Sequence, residues 1–285
     1  MRIAAIVCAR NEEIHIARCL DDLLSNGIEV LLVDHSSEDR TVEIARPYLG
    51  NGLLAINKLP WLGHFSLRQQ LLMKKTIADK LSHDWILHVD ADEWLCAPDA
   101  TLTLSEGIMR AHQEGFTCIN FEEMVFVPWP GENFVGREYT REMTTYYFFK
   151  PSEVRLMRAW RRDIDADNVS FGGHRLVSND LKIYPRNFIN RHYIMLSQEH
   201  GRHKYASRRF DEAELAMGWH SNRISLDDGR LALRPSAYLQ RLDRWDSADF
   251  VRSAPAMTHF WEWQNGRSVA AVPPTPQGKA FALPT

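Results

Sequence analysis

Four short apolar runs, "RIAAIVCA" (2–9), "IEVLLVD" (28–34), "LLAIN" (53–57) and "WILHV" (85–89), constrain this chain more than any other feature. Each is rich in aliphatic or β-branched residues and nearly free of polar ones, the pattern of a strand buried on both faces. Helical spacing fills the gaps. Asn11 is placed to N-cap a helix whose Ile14, Ala17, Leu20 and Leu24 share a face and which Gly27 ends. A shorter helix starts near Asp39, as N-cap or first-turn acid, and must stop near Pro47. Ser66 can cap a third helix with Leu67, Leu71, Ala78 and Leu81 on one stripe. A β-α-β-α-β-α-β order predicts a parallel α/β sheet with right-handed crossovers.

Beyond residue 97 the pattern changes. A helix is expected over about 100–113, and "TCINFEEMVFVP" (117–128) alternates like a half-buried strand. "TTYYFFKP" and "EVRLMRAWR" read as antiparallel pieces, "FDEAELAMGWHSNR" as a helix. With no repeat and no Ser/Gly linker, the expected organisation is one mixed α/β domain: a ligand-binding half at 1–98, a second half at 99–210, and an extension at 211–285 whose last dozen residues are loose.

Ordinary proportions of apolar (45%) and charged (25%) residues allow a sizeable core, and a formal charge of −3 speaks against a surface built for nucleic acid. Cys8, Cys19, Cys96 and Cys118 have neither zinc-like nor C-x-x-C spacing, so reduced, mostly buried thiols are expected. No run approaches the roughly 18 residues of a membrane span. The expectation is a cytoplasmic protein, with peripheral contact at the inner face of a membrane left open.

Ligands in open α/β sheets bind at the carboxyl ends of strands. Here those ends read "CARNEE", "DHSSEDR" and "DADE", and none carries G-x-G-x-x-G. Asp90, Asp92 and Glu93 crowd like charges that raise one another's pKa unless something cationic holds them. Two readings stand: a solvated acidic turn, or a D-x-D site for Mg²⁺ or Mn²⁺ bridging substrate phosphates.

"IVCARNEEIHIARCLDDLL", "VLLVDHSSEDRTVEIA", "HFSLRQQLL" and "WILHVDADEWL", in that order, resemble family-2 glycosyltransferases over roughly the first 100 residues. The resemblance implies a GT-A fold, a Rossmann-like mixed sheet with a C-terminal helical or irregular extension. It also implies sugar transfer from a nucleoside diphospho-sugar, UDP-linked by preference, to a hydroxyl on a glycan, glycolipid or lipid-linked acceptor, metal-dependent and with inversion. By the same resemblance the loop Cys8, Arg10, Asn11 and Glu12 cradles the nucleotide, Asp34, Arg68 and Asp90 seat the donor, and Asp92 holds the metal. Arg10 stands where the family often has Tyr, so guanidinium stacking would replace ring stacking there.

An inverting transfer needs a base. Glu123, alternating with Ile119, Phe121, Val125 and Val127, is the first candidate because apolar neighbours raise a carboxyl's pKa; Glu122, Asp167 and Asp165 follow. Downstream, Lys182, Arg186, Arg191, Arg202, Lys204, Arg208 and Arg209 face the single acid Glu199 between 182 and 209. Such a segment could clamp a departing diphosphate, or be a solvated or lipid-facing surface. His174, after Gly172 and Gly173, is a candidate for the metal, and Arg191 and His192 for the diphosphate; His200, His203 and His220 read as structural or surface. Trp245, Trp261 and Trp263 read as core or anchors before an acceptor platform. A nucleotidyltransferase and a non-catalytic nucleotide-sugar-binding subunit are the rival functions; nucleic acid is not an expected partner.

Overall fold

A computed structural model describes residues 1–206 and 208–265. The expected loose tail lies outside these residues. The four predicted strands form as β1 (Ile3–Ala9), β2 (Glu29–Asp34), β3 (Leu53–Lys58) and β4 (Trp85–Asp90). They pair in parallel in the order β3-β2-β1-β4. The register sets Ala9 beside Asp34 and Cys8 beside Asp90, so the polar strand ends open on one edge of the sheet.

Helices α1 (Ile16–Ser25), α2 (Thr41–Ala45) and α3 (Leu67–Ala78) make the crossovers. Ser66 caps α3 as expected, its Oγ accepting from the Gln69 amide at 3.3 Å. The start of α1 differs. Asn11 does not cap it: its backbone is left-handed at φ 55°, and the helix begins five residues later with Ile16, Cys19, Leu20 and Leu23 as the buried stripe. The intervening residues form a loop that reaches across to the end of β2.

The second half continues the same sheet. β5 (Glu93–Cys96), α4 (Leu104–Gln113), β6 (Cys118–Phe126), α5 (Tyr139–Glu142), β7 (Thr145–Phe149), β8 (Leu156–Arg161) and β9 (Phe188–Tyr193) follow. β8 runs antiparallel beside β4, β6 lies between β8 and β7, and β9 joins β6 in parallel and β5 antiparallel. β5 and β9 were not expected, because the charges of "DADEW" and "INRHY" mask their short alternation. β6 is not half-buried, since neighbours on every side leave Glu122 as its one incompletely buried position.

After β9 come α6 (Gln198–Gly201), a π-helical turn (Arg202–Ala206), α7 (Glu212–Ala216), a 3₁₀ turn (Ser221–Arg223), α8 (Asp228–Leu231) and β10 (Leu239–Arg241), which pairs with β7. The helix expected from Phe210 onward is confined to α7, because Gly218, just past its end, adopts a left-handed φ of 82°. Among the described residues no helix is long and apolar enough to cross a membrane. Trp261 is buried and Trp263 packs on Tyr147, while Trp245 stacks on Trp94, consistent with core and anchor roles.

Candidate active site

A cleft of about 960 Å³ opens at the carboxyl ends of β1 and β4. One wall is acidic and comes from the loops after these strands; the other comes from β8, β9 and the segment 197–223. The tetrad "DADE" splits between two directions. Asp90 and Glu93 turn toward Arg158, whose Nη2 lies 2.9 Å from Asp90 and 2.5 Å from Glu93. Arg158 arrives there because β8 pairs with β4 through Leu87 and Ala159, one residue short of it. Lys74 of α3 adds a second cation 3.6 Å from Asp90, and the Asn190 side chain donates to Glu93 at 2.9 Å. Loss of hydration pushes the Asp90 carboxyl up, but Arg158 and then Lys74 outweigh it and hold Asp90 below the usual carboxylate range.

Asp92 faces the cleft. Lys204 Nζ lies 2.8 Å from its Oδ2 and 3.1 Å from Glu12 Oε1, so one ammonium joins the loop after β1 to the end of β4. His192 sits between two acids, Nε2 3.3 Å from Asp92 and Nδ1 2.6 Å from Glu123. Burial alone would discharge this ring, yet Asp92 and Glu123 together keep it an imidazolium, with its pKa well above the ordinary value. Burial pushes the Glu12 carboxyl up to about 7 against the pull of Lys204.

Glu123 is where the sequence expectation and the structure part. Burial tends to raise its pKa, but Arg155, in contact with Oε2, and the hydrogen bond to His192 hold it well below the carboxylate range. A carboxylate paired in that way accepts a proton less readily than the lone buried carboxyl the sequence suggested, although Glu123 does line the cleft. Glu122 pairs with Arg252 at 2.6 Å outside the cleft, Asp167 accepts from the Val169 amide in a turn, and Asp165 is exposed on the same loop.

Of the expected donor-binding residues, Cys8, Arg10, Asn11, Glu12, Asp90 and His192 line the cleft. The Cys8 thiol is pushed up to about 12 by burial and is chemically inert. Arg10 lies 3.9 Å from the centre of the Trp61 ring and donates to the carbonyls of His35 and Ser36, so its stacking partner is within the chain. Asp34, Arg68 and Arg191 do not line it. Asp34 is buried and accepts from the Ser37 amide, Arg68 is exposed, and Arg191 donates to the carbonyls of Trp245 and Ser247 beneath Trp94.

Of the basic segment, Lys204, Arg208 and Arg209 line the cleft, whereas Arg202 pairs with Asp228 on the surface. His200, His203 and His220, read as structural or surface, line it too, and so do Arg155, Arg158, Arg223 and His259, which the sequence did not single out. Gly172 and Gly173 have left-handed φ values of 60° and 75°, but the close neighbour of Gly173 is Leu71: a Cβ there would lie 2.8 Å from Leu71 Cδ2.

The resemblance implies a divalent metal at Asp92, and His174, after its two glycines, is the second expected ligand. His174 lines the cleft, half-buried, with Nδ1 unpartnered, but among the described residues no three His, Cys, Asp or Glu side chains converge as a ligand set. The Asp92 carboxylate is already occupied by an ammonium and an imidazolium, so an ion placed there would meet like charge at contact distance. This donor set, as it stands, does not fit the metal.

The family model described as glycosyl transferase family 2 matches residues 4–164, more than half of the chain. The chain belongs to glycosyl transferase family 2. An uncharacterized glycosyltransferase of Rickettsia typhi, RT0209, is 36% identical over 95 residues, which make up 33% of this chain and 29% of the relative. One from Rickettsia felis is 38% identical over 95 residues, 33% of this chain and 30% of the relative. The match thus spans less than a third of the length of either. Among solved structures, S. aureus TarS 1–349 in complex with UDP-GlcNAc shares 15% identity over 68% of this chain and 58% of that one, with a TM-score of 0.40. The mannosyltransferase PcManGT of Pyrobaculum calidifontis, in complex with GDP-Man and Mn²⁺, shares 20% over 42% and 35%, with a TM-score of 0.33. Likenesses of that size say nothing about this family member's donor or metal.

Proposed function

We propose that this family-2 protein transfers a sugar from a nucleoside diphospho-sugar to a hydroxyl, with inversion at the anomeric carbon. The observation that carries the reading is a pair of half-buried arginines. Arg208 and Arg223 line the cleft opposite the strand ends, and among the described residues neither pairs with a carboxylate. Arginine presents a planar fork of donors that suits phosphate oxygens, and one left without an acid partner favours an anionic ligand.

In this reading residues 1–98 seat the nucleotide through Arg10, Asn11 and Glu12, residues 99–210 form the acceptor side, and 211–285 are a C-terminal extension. The acceptor oxygen attacks the anomeric carbon from the face opposite the diphosphate. The bond from that carbon to the diphosphate oxygen breaks, its electron pair leaves with the diphosphate, and the acceptor proton passes to a general base. Arg208 and Arg223 meet the charge that develops on the leaving group. A glycan, glycolipid or lipid-linked acceptor is the class favoured. Exposed Leu62, Phe171 and Ile224 each adjoin a cleft-lining residue, and with exposed Arg202 and Arg209 they suit a headgroup surface.

Calorimetric binding of UDP, GDP and other nucleoside diphosphates, followed by hydrolysis of the matching nucleotide sugars, tests the reading; Mn²⁺ is present throughout, so a metal requirement cannot hide binding. One tight-binding base with slow donor hydrolysis is expected, and a uridine donor is the first to try. Binding without turnover on any acceptor would favour a non-catalytic sugar-nucleotide subunit. Turnover of a triphosphate would favour a nucleotidyltransferase.

A further inference from the structure

We propose that Lys204 is the chain's own counter-ion for the donor diphosphate, standing where a divalent metal would otherwise bridge Asp92 and the phosphates, so that donor binding needs no metal ion. The proposal rests on the reading of the cleft as a nucleotide-sugar site and goes beyond it by naming the source of positive charge.

Lys204 is carried on the π-helical turn Arg202–Ala206, directly after α6, whose N-cap Ser197 accepts from the His200 amide. The side chain is buried along the cleft wall and ends between two acids from different strand ends, Asp92 at 2.8 Å and Glu12 at 3.1 Å. An ammonium has three donors, so bonds to Asp92 and Glu12 leave one for a ligand oxygen. Tying one carboxylate to a phosphate oxygen is the bridging task of a metal, and here a fixed positive point charge can perform it. The neighbours agree. His192 supplies a second positive charge to Asp92, Arg158 and Lys74 neutralise Asp90, and Arg208 and Arg223 remain for the phosphates. Mg²⁺ or Mn²⁺ would have to displace Lys204 from Asp92, leaving a buried ammonium with Glu12 as its one acid partner among the described residues.

The test is calorimetric binding of UDP and GDP to the full chain in Mn²⁺ and in chelator, for wild type, Lys204→Met and Lys204→Arg, with circular dichroism confirming that each variant is folded. Wild-type affinity should differ by less than about threefold between the two conditions. Lys204→Met should bind about tenfold or more weakly in chelator, the loss expected for one charge-assisted contact to phosphate. It should regain part of that in Mn²⁺, because the vacated Asp92 and Glu12 can then take the ion. Lys204→Arg should keep chelator-resistant binding. Wild-type binding that collapses on chelation, or Lys204→Met binding as tightly as wild type in chelator, would overturn the role of Lys204 and leave the donor reading standing. Absence of nucleotide binding in both conditions would bring down the donor reading and this inference together.

Discussion

One tetrapeptide feeds two ionic networks, and they differ in what surrounds them. Glu93 and Arg158 form the deeper one, with side chains 1% and 7% exposed, closed off by the β9 residue Asn190. Asp92, Lys204, Glu12 and His192 form the other, at the cleft wall, where a ligand or water can reach every member. Buried charge costs hydration in both places, and the difference is sharpest at Glu93, whose side chain is 1% exposed against 7–13% for the four members of the second network. The first network therefore holds β4, β5, β8 and β9 together, and the second ties the loop after β1 to the end of β4 and to β9.

The largest effect expected from that contrast is on Glu93. Glu93→Gln leaves the Arg158 guanidinium with only the half-exposed Asp90 as partner, and breaking a buried pair from one side typically costs about 3–5 kcal/mol. Urea unfolding should show a loss near the lower end, since Asp90 remains. Asp92→Asn removes one acid from Lys204 and His192, but both can rehydrate through the cleft, so a smaller loss of about 1–2 kcal/mol is expected. On the proposed reading of the cleft, transfer activity should fall much further, by about a hundredfold or more, because Asp92 would no longer hold Lys204 toward the diphosphate. A loss of stability at Asp92 equal to that at Glu93 would erase the distinction between the two networks.

Titration sharpens the comparison. Glu123 is driven up by burial but held well below the ordinary carboxylate range by Arg155 and His192, so the folded chain binds that proton less readily than the unfolded chain. Its contribution to stability is then fully present above the unfolded pKa of about 4.3 and is lost as pH falls through the folded value. His192 behaves oppositely. Its raised pKa stabilises the fold below about 6.5, and that contribution is lost as pH rises through the folded value. The gap in urea midpoint between wild type and Glu123→Gln should accordingly be widest near about pH 5–6 and narrow progressively as pH falls below about 4. A gap that stays constant down to pH 3 or so would mean that Glu123 is not held ionised by its partners.

The parallel half was legible because its signal is local. An unbroken apolar run such as Ile3–Ala9 has one use in a sheet covered on both faces, and Ser66 before a leucine stripe marks a helix start. Asn11 misled for an equally local reason: Asn suits both an N-cap and a left-handed loop position, and the contact with Glu38, 27 residues away, selects the second. The acid cluster announced a need for positive charge without naming its source. Arg158 lies 65 residues from Glu93 and Lys204 lies 112 from Asp92, and only the insertion of β8 beside β4 and the turn after α6 bring them in. Glu123 was read from its strand face alone, whereas its protonation is set by Arg155 and by a histidine on β9, a strand the sequence did not reveal.

The smallest expected effect sets the scale for the others. Thr103 begins α4 with a capping box: its Oγ1 accepts from the Glu106 amide at 3.3 Å, and its own amide donates to Glu106 at 2.7 Å. Both residues are exposed and belong to neither ionic network, so Thr103→Ala should cost about 1 kcal/mol in urea unfolding. Nucleoside diphosphate binding should not change, because α4 lines no part of the cleft. If this variant weakened binding as much as Asp92→Asn does, loss of affinity would be tracking general stability, and the case for a separate cleft network would fall with it.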